Sequence, residues 1–115
     1  ETMWEEFMME DAQICVVSCG ITARVSRNAI VEARKRGIKV GMIRPITLWP
    51  FPEKEIAQAV HGKRGVLVVE INAGQMIEDV RLAVNGEVAV EHFGRLGGIV
   101  PEPEEIVNAI KEKLL

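Results

Sequence analysis

Short, nearly unbroken apolar runs alternate along this chain with segments of helical periodicity, and that alternation constrains the fold more than any other feature. The runs are Ile14-Cys15-Val16-Val17-Ser18, Lys39-Val40-Gly41-Met42-Ile43, Val66-Leu67-Val68-Val69-Glu70 and Val88-Ala89-Val90-Glu91-His92-Phe93. A strand with one wet face alternates apolar and polar residues. A run that is apolar at successive positions is covered on both faces, as parallel strands between helix layers are. After the first run, Thr22 to Arg36 places Val25, Ala29, Ile30 and Ala33 on one stripe. Thr22 is the predicted N-cap of that helix, and Gly37 stands where a C-terminal stop belongs.

The same order then repeats. Pro45, Pro50 and Pro52 punctuate the stretch Arg44–Pro52 and forbid a continuing helix or an interior strand there. A short helix is predicted from Glu53 to Val60. A second follows Asn72-Ala73-Gly74-Gln75 and runs to Val84, with Ile77, Val80 and Val84 inward. Asn85-Gly86 turns the chain into the fourth run, and Gly94 to Val100 reads as a glycine-rich loop. Pro103 suits the first position of a last helix whose apolar face is Ile106, Val107, Ile110 and Leu114, with Lys111 and Lys113 at its negative end. Met3 to Met9 reads as a short edge strand, because Glu10-Asp11 makes a turn before the first core strand. Strands alternating with helices at these lengths imply right-handed crossovers and a three-layer α/β/α sandwich.

Composition narrows the function classes. A length of 115 residues suits one domain, residues 1–115, and 48% apolar content suits a real core. A net charge of −3 argues against a nucleic-acid footprint. No run approaches the ~18 apolar residues of a membrane span, and no signal peptide opens the chain. The expected setting is therefore cytoplasmic. Glu1 in place of an initiator methionine points to a piece of a longer polypeptide. Cys15 and Cys19, the only cysteines, are four residues apart on or beside one strand, about 13 Å in extended chain. That is beyond the roughly 7 Å a disulfide allows, and two cysteines close neither a zinc nor an iron–sulfur site. Both are expected to be reduced and buried.

In a doubly wound sheet the first and third parallel strands sit side by side, and a ligand crevice opens beyond their carboxyl ends. That rule sets Cys19, Gly20, Ile21 and Thr22 opposite Glu70, Asn72, Gly74 and Gln75. The string Glu70-Ile71-Asn72-Ala73-Gly74-Gln75-Met76 gathers hydrogen-bonding groups at a helix N-terminus. It suits a polar contact with a neighbouring domain or a small anion. The plainer alternative has Asn72 capping its helix while Glu70 meets a basic neighbour. Only Gly20 follows the first strand, so neither a G-x-G-x-x-G fingerprint nor a phosphate-binding loop exists. His61 reads as a solvent-facing loop residue, and His92 sits on a polar face of the last strand. Neither has a sequence neighbour that would make a metal pair or catalytic dyad. Arg24, Arg27 and Arg34 read as the solvated side of their helix. Ser18 and Ser26 lack a nucleophile elbow. Leu48, Trp49 and Phe51, on a proline-stiffened loop, cannot all reach one small core, which leaves an interface anchor and internal packing both open.

Three strings carry a resemblance: Gly37-Ile38-Lys39-Val40-Gly41-Met42-Ile43-Arg44-Pro45-Ile46-Thr47-Leu48-Trp49-Pro50-Phe51-Pro52, Val68-Val69-Glu70-Ile71-Asn72-Ala73-Gly74-Gln75-Met76, and Gly94-Arg95-Leu96-Gly97-Gly98-Ile99-Val100-Pro101. Together they resemble the α chain of 2-oxoacid:ferredoxin oxidoreductases, the 2-oxoglutarate type above all, over about Asp11 to Lys113. The resemblance implies a transketolase C-terminal-like domain, with a mostly parallel five-stranded sheet and one antiparallel edge strand. The whole enzyme would oxidatively decarboxylate a 2-oxoacid to acyl-coenzyme A. It would use thiamine diphosphate, magnesium, a [4Fe–4S] cluster and coenzyme A, with ferredoxin as electron acceptor. The implied partners of this domain are the N-terminal domain of the same subunit and the β subunit. No cofactor-holding motif of that family stands in this sequence, so no catalytic, cofactor-binding or metal residue is assigned. The candidate crevice or interface residues are Gly20, Thr22, Arg44, Trp49, Phe51, Glu70, Asn72, Gly74 and Gln75. Two alternatives are the equivalent domain of a 2-oxoacid dehydrogenase or transketolase, and a free-standing anion-binding regulatory module.

Overall fold

A computed structural model describes residues 3–46, 51–71, 75–94 and 99–115, the side chain of Gln75 excepted. The described elements run β1 (Trp4–Phe7), β2 (Ile14–Ser18), α1 (Gly20–Lys35), β3 (Val40–Pro45), α2 (Glu53–Val60), β4 (Gly65–Val69), α3 (Gln75–Val84), β5 (Ala89–Phe93) and α4 (Pro103–Leu114). The strands form a five-stranded sheet in the order β1-β3-β2-β4-β5. β2 pairs in parallel with β3 and β4, starting at Ile14↔Val40 and Ile14↔Gly65. β5 runs parallel to β4, from Gly65↔Ala89 to Val69↔Phe93. β1 is the antiparallel edge, with Trp4↔Pro45 and Phe7↔Met42. The mostly parallel α/β/α sandwich with one antiparallel edge strand is thus the observed fold.

Every residue of β2 and β4 is buried, because helices cover both faces of the sheet. Alternate residues feed two cores. Ile14, Val16, Val40, Met42, Leu67 and Val69 pack under α1 and α4, against Ile30, Ala33, Ile106 and Ile110. Cys15, Val17, Ile43, Val66 and Val68 pack under α2 and α3, against Ile56, Val60, Ile77 and Val80. Each such side chain contributes about 1.5–3 kcal/mol when fully removed from water. Pro45 closes β3 rather than lying in a loop. It pairs with Trp4 of the edge strand, and the β2 ladder has already ended at Ile43, so its missing N–H interrupts nothing central.

Two expectations about α1 change. The N-cap is Cys19, not Thr22, whose hydroxyl lies inside the first turn and donates to the Cys19 carbonyl at 2.6 Å. Arg34 is no solvated residue. Its Nε donates to the Val40 carbonyl at 2.8 Å, and its Nη2 donates to the Met8 carbonyl at 2.7 Å and to Asp11 at 2.8 Å. One guanidinium therefore ties α1 to β3 and to the β1–β2 turn. The helix stops as expected, with Gly37 N–H donating to Arg34 and Ile38 N–H to Ala33. α4 begins with Pro103 and a capping box between Glu102 and Glu105. Arg36 forks onto Glu104 at 2.7 and 3.0 Å, joining α1 to α4. Among the described residues, no helix is long and apolar enough to cross a membrane.

Candidate functional site

The sheet places β2 beside β4, so the β2–α1 junction and the end of β4 share the carboxyl edge of the sheet. Hydroxyl contacts hold that edge together. Ser18 Oγ lies 2.8 Å from Thr22 Oγ1 and 3.1 Å from the Val69 carbonyl oxygen. Both side chains are buried, and these bonds stitch the β2–α1 junction to the end of β4. The Thr22 hydroxyl is thereby turned to the chain itself.

Glu70 follows directly on β4 at the same edge. Only 7% of the residue is exposed, yet its carboxylate is well provided for. Oε1 accepts the Met76 N–H at 3.0 Å and Oε2 the Ile77 N–H at 3.1 Å, both in the first turn of α3. The first amides of α3, at the positive helix end, thereby find their acceptor. Glu70 therefore caps α3 from outside the helix. Asn72, Gly74 and Trp49 lie outside the described residues, as does the Gln75 side chain, although Gln75 opens α3. The basic neighbour expected of Glu70 is His92, whose Nε2 stands 3.4 Å from Oε2. That nitrogen is buried, and the separation brings the ring near the carboxylate without an aligned hydrogen bond. The Glu70 N–H donates to the Phe93 carbonyl at 3.1 Å. A Cβ built on Gly94 would collide with the Glu70 carbonyl oxygen, so the chain leaving β5 passes too close for any side chain.

Gly20, Thr22 and Glu70 are therefore brought together at the carboxyl edge. Gly20 takes a φ of +62°, which turns the chain from β2 into α1. Arg44, on β3, reaches the Glu5 carboxylate of the edge strand with Nε at 3.3 Å, and its charge acts on the Cys19 thiol. Phe51 is half-buried against the α2–α3 core, on the other face of the sheet. Ser18 and His92 were missed as crevice residues. His92 pairs in register with Val68, one place before the end of β4, a neighbourhood visible only once the strand order is known. His61 is the exposed loop residue expected, 3.5 Å from Glu87. Cys15 is fully buried, and burial pushes its thiol pKa up to about 12. Cys19 is only half-buried, against expectation, because it caps α1 at the rim; burial and the neighbouring Glu70 charge raise its pKa. Among the described residues, no three His, Cys, Asp or Glu side chains are grouped to hold a metal ion.

Comparison with known proteins gives this geometry its setting. Ketoisovalerate oxidoreductase subunit VorB of Methanothermobacter marburgensis is 44% identical over 112 residues, covering 97% of this chain and 32% of that protein. 2-Oxoglutarate synthase subunit KorA of the same organism is 42% identical over 101 residues, covering 88% of this chain and 27% of that protein. The chain thus spans about a third of the length of these relatives. A solved 2-oxoglutarate:ferredoxin oxidoreductase from Magnetococcus marinus, with 2-oxoglutarate, coenzyme A and succinyl-CoA bound, superposes with a TM-score of 0.79 at 26% identity. That match covers 98% of this chain and 20% of the other. An inactive tetramer of a split-gene transketolase superposes with a TM-score of 0.77 at 13% identity, over 96% of this chain and 41% of that one, a likeness of fold alone. The family model for the pyruvate:ferredoxin oxidoreductase core domain II matches residues 12–106, and the chain belongs to that family.

Proposed function

We propose that this chain is a non-catalytic domain of a thiamine-dependent 2-oxoacid:ferredoxin oxidoreductase subunit, which completes the subunit and frames a cofactor site built elsewhere. The observation that carries the reading is the 44% identity to an oxidoreductase subunit along 97% of the chain. Dehydrogenase and transketolase alternatives are not favoured, since the transketolase likeness at 13% identity is one of fold.

The residues at the carboxyl edge do not fit thiamine diphosphate, its magnesium ion or an iron–sulfur cluster. The Ser18 and Thr22 hydroxyls are hydrogen-bonded within the chain, and the Glu70 oxygens face the amides of α3. Cys15 is sealed in the core, whereas a cluster of this kind takes four accessible thiolates. No chemical step is therefore assigned to this chain. Its contribution is rigidity: Glu70 fixes α3, the Ser18–Thr22 pair fixes α1, and both helices start at the rim that a neighbouring domain would meet. The 2-oxoacid, coenzyme A, the β subunit, ferredoxin and the cytoplasmic setting belong to the whole enzyme in this reading. Identities of 44% and 42% to ketoisovalerate and 2-oxoglutarate enzymes leave the 2-oxoacid open between a branched-chain acid and a dicarboxylate.

The test is purification of the full-length subunit from its own cells through a tag at the end of this domain. Co-purification of a thiamine- and iron–sulfur-bearing partner, with coenzyme A-dependent oxidation of a 2-oxoacid, is the expected result. A subunit that comes out alone, in good yield and without such activity in the parent extract, would sink the reading.

A further inference from the structure

Two concavities lie against α1 at the β1–β3 side of the sheet, and Arg27 and Arg44 line both. One, of about 330 Å³, is bounded by Glu5, Glu6, Phe7 and Met42 besides those arginines. The other, of about 280 Å³, is lined by Gly20, Ala23, Arg24, Arg27, Asn28 and Arg44. Three guanidiniums and an amide face this second cavity, and no carboxylate lines it. The arginines are held in different ways. Arg27 lies over the Phe7 ring, 4.4 Å from its centroid. Arg44 is steered from one side by Glu5 at 3.3 Å. Arg24 and Arg27 make no ion pair with the described residues, so their N–H donors remain open to a ligand. The beginning of α1 adds to the same field, with no side-chain cap and no acidic residue in its first turn.

Gathering three positive side chains around one hollow raises the free energy of the empty protein, and an anion in the hollow relieves it. We propose that the Arg24–Arg27–Arg44 cavity is a binding site for a phosphate-type anion, either a free di- or polyphosphate or the phosphate end of a phosphoester. A single carboxylate satisfies one planar guanidinium fork, whereas a phosphate presents several oxygens around one centre and can meet two or three forks together. Asn28 supplies a neutral donor beside them. Glu5 and Glu6, in the neighbouring concavity, repel the ligand from that side and confine it to the carboxylate-free one. The site lies between the first turns of α1 and Arg44 of β3, includes neither Glu70 nor His92, and does not depend on the proposed enzyme reading.

Calorimetric titration of the purified full-length protein at low ionic strength tests it, with sodium pyrophosphate and adenosine 3′,5′-bisphosphate as the probes. Saturable one-site binding of at least one probe is expected. Tighter binding of pyrophosphate would identify a free-anion site, and tighter binding of the bisphosphate a phosphoester site. Arg24→Gln and Arg27→Gln, both at exposed positions, should each weaken binding about tenfold, the effect of losing one hydrogen bond to a charged group. Arg64→Gln, an exposed change outside the cavity, should leave the affinity unaltered. No saturable heat into the millimolar range, or equal weakening by Arg64→Gln and Arg24→Gln, would overturn the proposal.

Discussion

His92 Nε2 stands 3.4 Å from Glu70 Oε2, on the carboxylate that also receives the Met76 and Ile77 amides. The end of β4, the start of α3 and the last strand therefore meet on one buried side chain. Glu70→Ala leaves two helix amides without their acceptor and should cost about 2–4 kcal/mol. Glu70→Gln keeps one accepting oxygen and should cost less. Urea unfolding of the two variants measures both, and an alanine variant as stable as the parent would refute the capping role.

Gly94→Ala acts at the same junction from the other side. The added methyl meets the Glu70 carbonyl oxygen, a backbone atom tied to Phe93 through the adjacent amide. The strand must shift to admit it, so a loss of about 1–3 kcal/mol is expected, as for overpacking elsewhere. An unchanged thermal midpoint would show that the loop yields freely.

The thiols should separate cleanly. Cys15 is buried with its pKa pushed up to about 12, so almost none of it is thiolate at neutral pH. Cys19 is half-buried at the rim. Iodoacetamide followed by mass spectrometry should modify Cys19 slowly in the native protein and Cys15 only after unfolding. Equal labelling of both under native conditions would contradict the core assignment.

Acid should loosen α1 before it melts the sheet. The Arg34 guanidinium holds the Asp11 carboxyl below its ordinary range, and Arg36 does the same for Glu104. A carboxylate with a depressed folded pKa stabilises the protein above its unfolded pKa, and that gain disappears as pH falls through the folded one. Stability should therefore drop once pH passes below the ordinary carboxylate range. The Asp11→Asn, Glu104→Gln double variant should show a shallower drop when thermal midpoints are compared between neutral and acid buffers. A pH profile identical to the parent's would remove both pairs from the account.

Trp49 and Phe51 call for separate changes. Phe51 packs against the α2–α3 core, so Phe51→Ser should lower the domain's own stability, by about 1–3 kcal/mol for loss of a partly buried ring. On the proposed reading, Trp49→Ser should instead weaken assembly with the other domains while this one stays folded, and unchanged assembly would remove Trp49 as an anchor. Size-exclusion chromatography of the complex, with circular dichroism of each variant, distinguishes the two effects.

The architecture was legible because it rests on burial. Ile14–Ser18 and Gly65–Val69 must be covered on both faces, and Gly37 and Pro103 mark helix ends by local chemistry. The contacts at the sheet's carboxyl edge were legible only in part. A reading of local propensity gave the α1 cap to Thr22, because its side chain suits the task. The structure uses a cysteine N-cap for α1 and a carboxylate six residues upstream of Met76 for α3. Helical spacing put Arg34 with the wet residues, and only the approach of Met8, Asp11 and Val40 shows it to be a clamp. His92 shows the same limit, since its neighbour Glu70 belongs to an adjacent strand. Tertiary partners decide each of these cases, and sequence spacing does not report them.

The strand order also bears on how the chain is made. β1 leaves the ribosome ahead of its only neighbour, β3, and β2 waits for partners on both flanks that are translated later. A nascent chain halted before Val69 would display the apolar flank of β2 with nothing alongside it, inviting chaperones or mispairing. Pausing ahead of β4 would prolong that exposure.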